Sequence, residues 1–242
     1  MKETLFISDL HLDPARPAIT ELFFQLLKTR AANADALYVL GDLFEMWLGD
    51  DDPSPGSAAV MDALRAVTAG GTPVFVMHGN RDFLIGPEFA ARTGCTVLPD
   101  SAVIDLYGER TLIMHGDVLC TDDVAYQALR AQVRDPRWQQ QILALPFEER
   151  VRLGRQLRNT SREEVQAKSA EIMDVNQEAV DRTLREHQVR LLIHGHTHRP
   201  AVHEFDLDGQ PVRRIVLGDW YTQGSLLSFR PDGFDLETLP LS

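Results

Sequence analysis

Cysteine is nearly absent: Cys95 and Cys120 are the only two in 242 residues. They form no Cys-x-x-Cys pair, and two thiols are too few for a disulfide scaffold, so a reducing, cytoplasmic setting is expected. Nowhere do 18 consecutive apolar residues occur, so no spanning helix is expected. No basic stretch followed by a long apolar region precedes the strand-like run Thr4–Ile7, and no signal peptide is expected either. Positive charge is in deficit, with 24 Lys and Arg against 36 Asp and Glu for a net charge of −12. That balance argues against an extended footprint for duplex nucleic acid. Internal repeats and low-complexity linkers are missing as well. What is present is 44% hydrophobic and 25% charged, ordinary for a folded chain. At ~150 residues per domain, the length fits one large domain or a domain carrying a big insertion.

Short apolar, β-rich runs recur at Leu5–Ser8, Ala36–Leu40, Pro73–His78, Thr111–Met114, Leu191–His194, Ile215–Leu217 and Leu226–Phe229. Between them, Ile19, Leu22, Phe23, Leu26 and Leu27 share one helical stripe, and Val60, Met61, Leu64 and Val67 another. Buried strands alternating with helices predict an α/β sheet with covered faces. Strands near 103–107, 202–207 and 226–236 lack intervening helices, which predicts that part of the sheet is antiparallel. Residues 118–188 break the rhythm: no strand pattern occurs there, and helical periods punctuated by Pro136 and Pro146 predict a helical insertion.

The histidines are unevenly placed. Of eight, six (His11, His78, His115, His194, His196 and His198) lie at or just after strand-like runs. Five segments follow strand ends: Ser8-Asp9-Leu10-His11, Gly41-Asp42-Leu43-Phe44-Glu45, Gly79-Asn80-Arg81-Asp82, His115-Gly116-Asp117 and Gly195-His196-Thr197-His198. Ligands of α/β sheets bind at the carboxyl ends of the strands, where such loops converge. Asp9, His11, Asp42, Asn80, His115, His196 and His198 then offer oxygen and imidazole nitrogen but no sulfur, a set suited to Mn²⁺, Fe²⁺ or Zn²⁺. Seven ligands exceed one tetrahedral ion and fall short of two octahedral shells. Two ions sharing a bridging carboxylate, with positions open to water and substrate, fit the count. Asp42 is the natural bridge, being alone in its loop while Asp9 and His11 can chelate together. Taken singly the motifs have bland readings: Glu45 as a helix-start carboxylate, Asp117 as an outer partner or turn residue, and Asp50-Asp51-Asp52 as solvated acids.

Together and in this order, the five segments resemble the signature of the calcineurin-like metallophosphoesterases. The resemblance implies a four-layer α/β/β/α sandwich with mixed sheets, a helical insertion cap and a dinuclear centre. It implies one metal held by Asp9, His11, Asp42 and His198, and the other by Asp42, Asn80, His115 and His196. Most members of the family carry a histidine after the asparagine of the third segment, able to protonate an alkoxide leaving group. Arg81 stands there instead, and a guanidinium stays charged. A leaving phosphate, with a second pKa of ~6, needs charge neutralisation more than a proton. Arg81 therefore favours a diphosphate substrate; the alternative is a structural arginine paired with Asp82.

Further blocks narrow the likeness. Gly79-Asn80-Arg81-Asp82-Phe83-Leu84, Met114-His115-Gly116-Asp117, Ile172-Met173-Asp174-Val175-Asn176, His194-Gly195-His196-Thr197-His198-Arg199-Pro200 and Leu217-Gly218-Asp219-Trp220 resemble the UDP-2,3-diacylglucosamine pyrophosphatases of lipid A synthesis. This resemblance implies hydrolysis of an acylated UDP-sugar with two Mn²⁺ ions, Fe²⁺ or Zn²⁺ being alternatives. It implies water attack on the α-phosphorus, with Asp42, Asn80, Arg81 and His196 as catalytic residues. Substrate contacts are expected from Asn80, Arg81, Asp123, Ser161, Lys168 and His196; Val165 stands where the family often has asparagine. The insertion carries nine basic residues against five acidic ones over 130–168, a local excess of four interleaved with Trp138, Ile142, Leu143, Leu145 and Phe147. The expected partners are the acylated UDP-sugar and the cytoplasmic face of the inner membrane, touched peripherally by a monomer, with no nucleic acid.

Overall fold

A computed structural model describes residues 2–167 and 174–241, the span 159–167 by backbone alone. In chain order the elements are β1 (Thr4–Ile7), α1 (Pro17–Thr29), β2 (Ala36–Leu40), α2 (Pro55–Ala69), β3 (Val74–Met77), α3 (Pro87–Thr93), β4 (Thr96–Val97), β5 (Ser101–Leu106) and β6 (Glu109–Met114). There follow α4 (Val124–Val133), α5 (Pro136–Leu143), α6 (Phe147–Ala167), α7 (Gln177–His187), β7 (Leu191–His194), β8 (Ala201–Leu207), β9 (Gln210–Val216), β10 (Gly224–Arg230) and β11 (Gly233–Leu239).

The strands form two sheets, ordered β11-β10-β1-β2-β3-β4 and β5-β6-β7-β9-β8. β1, β2 and β3 pair in parallel, as do β6, β7 and β9; the flanking β10, β11, β5 and β8 pair antiparallel with their neighbours. Three apolar clusters identify the layers. Ile19, Phe23, Val60, Leu64 and Phe89 of α1–α3 pack on Leu5, Ile7, Leu37 and Val39 of the first sheet. Phe6, Leu40, Met77, Ile113, Ile193, Ile215 and Leu227 fill the space between the sheets. Ala179, Val180 and Leu184 of α7 cover the second sheet through Leu112, Met114 and Leu192. The four-layer α/β/β/α arrangement is thus present, each fully buried Leu, Ile or Phe stabilising it by ~1.5–3 kcal/mol.

Local chemistry sets the helix starts. Pro17, Pro55, Pro87 and Pro136 each occupy a first-turn position where no donor is needed. Ser54, Asp123, Asp135 and Asn176 cap α2, α4, α5 and α7 by accepting from a backbone N–H two or three residues further on. The expected helical stripes fall within α1 and α2. The run 226–236 is two strands, folded back at Pro231 and Asp232. Between β6 and β7 the described residues hold helices and no strand. α7 packs within the sandwich, so the part of 118–188 that stands apart from it is α4–α6. The acids Asp50-Asp51-Asp52 are not merely solvated. Asp50 accepts from Gly86 and Phe89 at 2.9 Å and so starts α3, whose own Gly86 offers no side chain; Asp52 accepts from Ser54.

Candidate metal centre

Five loops leave the carboxyl ends of β1, β2, β3, β6 and β7 and converge on one rim. They are laced by backbone hydrogen bonds: Asp9 N–H donates to Gly41 O at 3.1 Å, His11 N–H to Asp42 O at 2.9 Å and Gly195 N–H to His115 O at 2.8 Å. Five of the seven expected ligands sit in the left-handed region, with φ of 55° at Asp9, 49° at His11, 53° at Asp42, 71° at His196 and 56° at His198. Non-glycine residues are rarely held there unless the surroundings require it, and such strain concentrates at functional sites. Gly79 permits a close approach: a Cβ there would lie 2.0 Å from Asp42 Oδ1 and 2.3 Å from its nitrogen.

The seven side chains come together as two facing groups. In one, His11 Nε2 lies 3.3 Å from His198 Nε2, and His198 Nε2 lies 3.3 Å from Asp9 Oδ1. In the other, Asn80 Oδ1 lies 3.0 Å from both His115 Nε2 and His196 Nδ1. Asp42 stands between them, its Oδ2 3.8 Å from His11 Nε2 and its Oδ1 3.9 Å from His115 Nε2. Asp9 Oδ2 is held by Ser8 Oγ and by His196 N–H at 2.8 Å, whereas its buried Oδ1 makes no hydrogen bond.

Electrostatics points the same way. Burial, with the carboxylates of Asp82 and Asp9, pushes Asp42 up to about 7 despite His115 and Arg81. Burial also opposes ionisation of Asp9, but His198, His115 and His11 around it hold its carboxyl well below the usual range. Burial, with the charges of His198, Arg81 and His115, lowers His11 to about 3. Burial and His115 lower His196 to about 4. For His198 burial is outweighed by Asp219 and Asp9, and the ring is raised to about 10. Crowded carboxylates and imidazoles, one buried oxygen without a donor, and no sulfur suit hard or borderline divalent cations. Asp9, His11 and His198 each offer a ligand atom within 4.8 Å of one another, and so do Asp9, Asp42 and His115. A divalent metal fits the residues present.

Arg81 lies beside this centre. Its N–H donates to Asp42 Oδ1 at 2.8 Å, and its buried Nε makes no hydrogen bond. Asp82 is occupied otherwise, accepting from the backbone of Gly79 and Leu43 at 2.7 Å and Asp42 at 3.3 Å. Among the described residues no ion pair joins it to Arg81, so the structural pairing is not what the arginine does. Asp123 Oδ1 caps α4 through Tyr126 N–H at 3.0 Å. The side chain of Ser161 on α6, that of Val165, and all of Lys168 lie outside the described residues.

Further residues surround the centre, Asp117 as an outer partner among them. Asp117 accepts from Tyr126 OH at 2.7 Å and Arg130 Nε at 2.8 Å, and the Tyr126 ring stacks 5.7 Å from that of His196. Asp219 Oδ2 lies 3.4 Å from His198 Nδ1. Glu45 is in a loop rather than at a helix start, and meets His11, Arg16 and Arg158. The basic insertion is largely turned inward: Arg130 and Arg134 pair with Asp100, Arg150 with Asp51 and Arg158 with Glu45. Among its described basic residues Arg137, Arg152 and Arg155 are exposed. No described helix is long and apolar enough to cross a membrane.

Residues 3–200 match the family of calcineurin-like phosphoesterases. A UDP-2,3-diacylglucosamine hydrolase of Xanthomonas campestris pv. campestris is 54% identical over 245 residues, spanning 98% of this chain and 99% of its own. One from Stenotrophomonas maltophilia is 51% identical over 247 residues, spanning 98% of each chain. Among solved structures, an archaeal phosphodiesterase superimposes with a TM-score of 0.52 at 12% identity, over 98% of this chain and 99% of that one, a likeness of fold.

Proposed function

The chain belongs to the calcineurin-like phosphoesterase family, alongside the UDP-2,3-diacylglucosamine hydrolases, and on that footing we propose that it hydrolyses the diphosphate of UDP-2,3-diacylglucosamine in lipid A biosynthesis. Water attacks the α-phosphorus; its oxygen enters UMP, and 2,3-diacylglucosamine 1-phosphate leaves with the bridging oxygen. The observation that carries this reading is a cavity of about 400 Å³ opening from the centre between the core and the insertion. Asn80, Arg81, Asp117 and Arg158 line it along with Met46, Leu48, Phe83, Leu129, Trp138 and Ile142. A cavity combining phosphate-binding and apolar walls suits a diphosphate that carries acyl chains.

Asp9, His11, Asp42 and His198 would hold one ion, and Asp42, Asn80, His115 and His196 the other, Mn²⁺ being the expected metal with Fe²⁺ or Zn²⁺ as alternatives. When bound, such ions supply Lewis acidity that acidifies the attacking water and draws charge from the phosphate oxygens. Arg81 supplies the rest of the neutralisation. Its Nε is buried without a partner, and a phosphate oxygen completes it by a charge-assisted bond that strengthens as the leaving phosphate gains charge. No general acid is required, because a departing phosphate is only weakly basic. Asn80, with its oxygen between His115 and His196, keeps its NH₂ for a substrate oxygen. Asp123, Ser161, Lys168 and His196 complete the substrate contacts.

Exposed Arg137, Arg152, Arg155, Leu143 and Leu157 on the insertion support peripheral contact with the inner membrane, from the cytoplasmic side, where the lipid substrate resides. The working unit is a single chain, since one chain supplies the whole ligand set. The test compares kcat/KM for the acylated UDP-sugar with that for UDP-glucosamine. A preference of about a hundredfold or more is expected, each buried CH₂ being worth ~0.8 kcal/mol. Equal turnover of the two overturns the assignment.

A further inference from the structure

Glu45 lies in the loop after β2 and is only 5% exposed. A carboxylate this deep needs positively charged or hydrogen-bonding neighbours, and it has three, two from the loop after β1 and one from α6. Its Oε2 is 3.3 Å from Arg16 Nη2 and 3.5 Å from His11 Nδ1, while its Oε1 pairs with Arg158 of α6. The His11 Nδ1 atom is buried and makes no hydrogen bond, and the Glu45 carboxylate stands beside it at ion-pair distance. The opposite nitrogen, Nε2, looks into the centre, 3.8 Å from Asp42 Oδ2 and 3.9 Å from Asp9 Oδ1. The ring is clamped flat: Tyr221 stacks on it at 5.3 Å with 4° between planes, Arg16 lies 4.6 Å from the Tyr221 ring centre, and Arg16 also donates to the His11 carbonyl.

An imidazole that binds a cation must be neutral and carry its proton on the far nitrogen, and a carboxylate beside that nitrogen fixes both tautomer and orientation. We propose that Glu45 is a positioning residue with two simultaneous tasks: it presents Nε2 of His11 to the metal centre, and it seats the middle of α6 against the same half of that centre through Arg158. The inference rests on the metal-site reading above. It adds that cation binding and docking of the insertion share one carboxylate. Arg150 anchors the start of α6 separately, by donating to Leu48 O and Asp51, so the effect of Glu45 is confined to the middle turns.

The experiment measures Mn²⁺ binding to the metal-stripped chain by titration calorimetry, and amide hydrogen exchange over 152–158, in the wild type, Glu45→Gln and Arg158→Met. Glu45→Gln is expected to weaken Mn²⁺ binding about tenfold and to speed exchange over 152–158 severalfold, with an unchanged circular dichroism spectrum. Arg158→Met, at a half-exposed position, is expected to speed the same exchange while Mn²⁺ affinity stays within threefold of wild type. Should Glu45→Gln fail to fold, wild-type exchange in Arg158→Met alone overturns the proposal. Glu45→Gln binding Mn²⁺ as tightly as wild type overturns it too, as does unaltered exchange over 152–158. A wild-type chain that takes up no Mn²⁺ would instead contradict the metal-site reading itself, so the two failures are distinguishable.

Discussion

The buried guanidinium of Arg150 on α6 meets the exposed carboxylate of Asp51, with Nη1 2.8 Å from Asp51 Oδ1. The arginine is 3% exposed and also donates to Leu48 O at 2.6 Å and, through Nε, to Leu145 O at 3.1 Å. The helical insertion is therefore fastened to the sandwich at a loop that lines the cavity. Arg150→Ala leaves those carbonyls without a donor, at ~1–3 kcal/mol for each unsatisfied group. The expected result is a lower urea midpoint with KM for the acylated substrate raised about tenfold and kcat changed less. Unaltered KM and midpoint would contradict a fastening role.

Gly79→Ala tests the packing beneath the centre. Its Cβ would enter the space of Asp42 Oδ1 at 2.0 Å, so Asp42 must move. Misplacement by about 1 Å costs on the order of a hundredfold in rate. Turnover should fall by that amount or more and Mn²⁺ affinity, measured by calorimetry, at least tenfold, while the circular dichroism spectrum is retained.

Arg81→Ala should lower kcat by ~10²–10³, the scale of removing a donor aimed at developing charge. Arg81→Lys should recover only part, since an ammonium cannot make the forked contact. Steady-state kinetics on both variants checks this, and full activity in Arg81→Ala would remove the arginine from the reaction.

A pH effect on stability is expected far from the centre. Burial works against ionisation of Glu3, but hydrogen bonds from Ser228 and Arg30 and the charges of Arg30 and Arg230 outweigh it and hold its pKa below the usual value. A depressed acid contributes stability that is full above its unfolded pKa, ~4.3, and is lost as pH falls through the folded value. The Tm difference between wild type and Glu3→Gln should be largest at pH 7 and shrink below about pH 4. A constant difference across that range would contradict the linkage.

The convergence of Asp9, His11, Asp42, Asn80, His115, His196 and His198 is legible in the chain because each follows a short buried strand. Short continuous apolar runs and strand-end turns are local signals, and the three apolar clusters follow from them. What holds the insertion is not legible. Arg150 with Asp51, Arg158 with Glu45 and Arg130 with Asp100 join segments that lie far apart in the chain, and a basic run looks the same whether its charges face water or carboxylates. Asp50 shows the same limit: it reads as one of three solvated acids, yet it caps α3 across 36 residues. Helix α7 has the composition of its neighbours in the insertion, and only its contact with Leu112 and Leu192 places it in the sandwich.

Hydrolysis of UDP-2,3-diacylglucosamine in ¹⁸O-water, with the purified chain and Mn²⁺, tests the central claim most directly. The account predicts one ¹⁸O atom in UMP and none in 2,3-diacylglucosamine 1-phosphate, by mass spectrometry of both products. Label in the sugar phosphate, or no cleavage of this substrate, would contradict it.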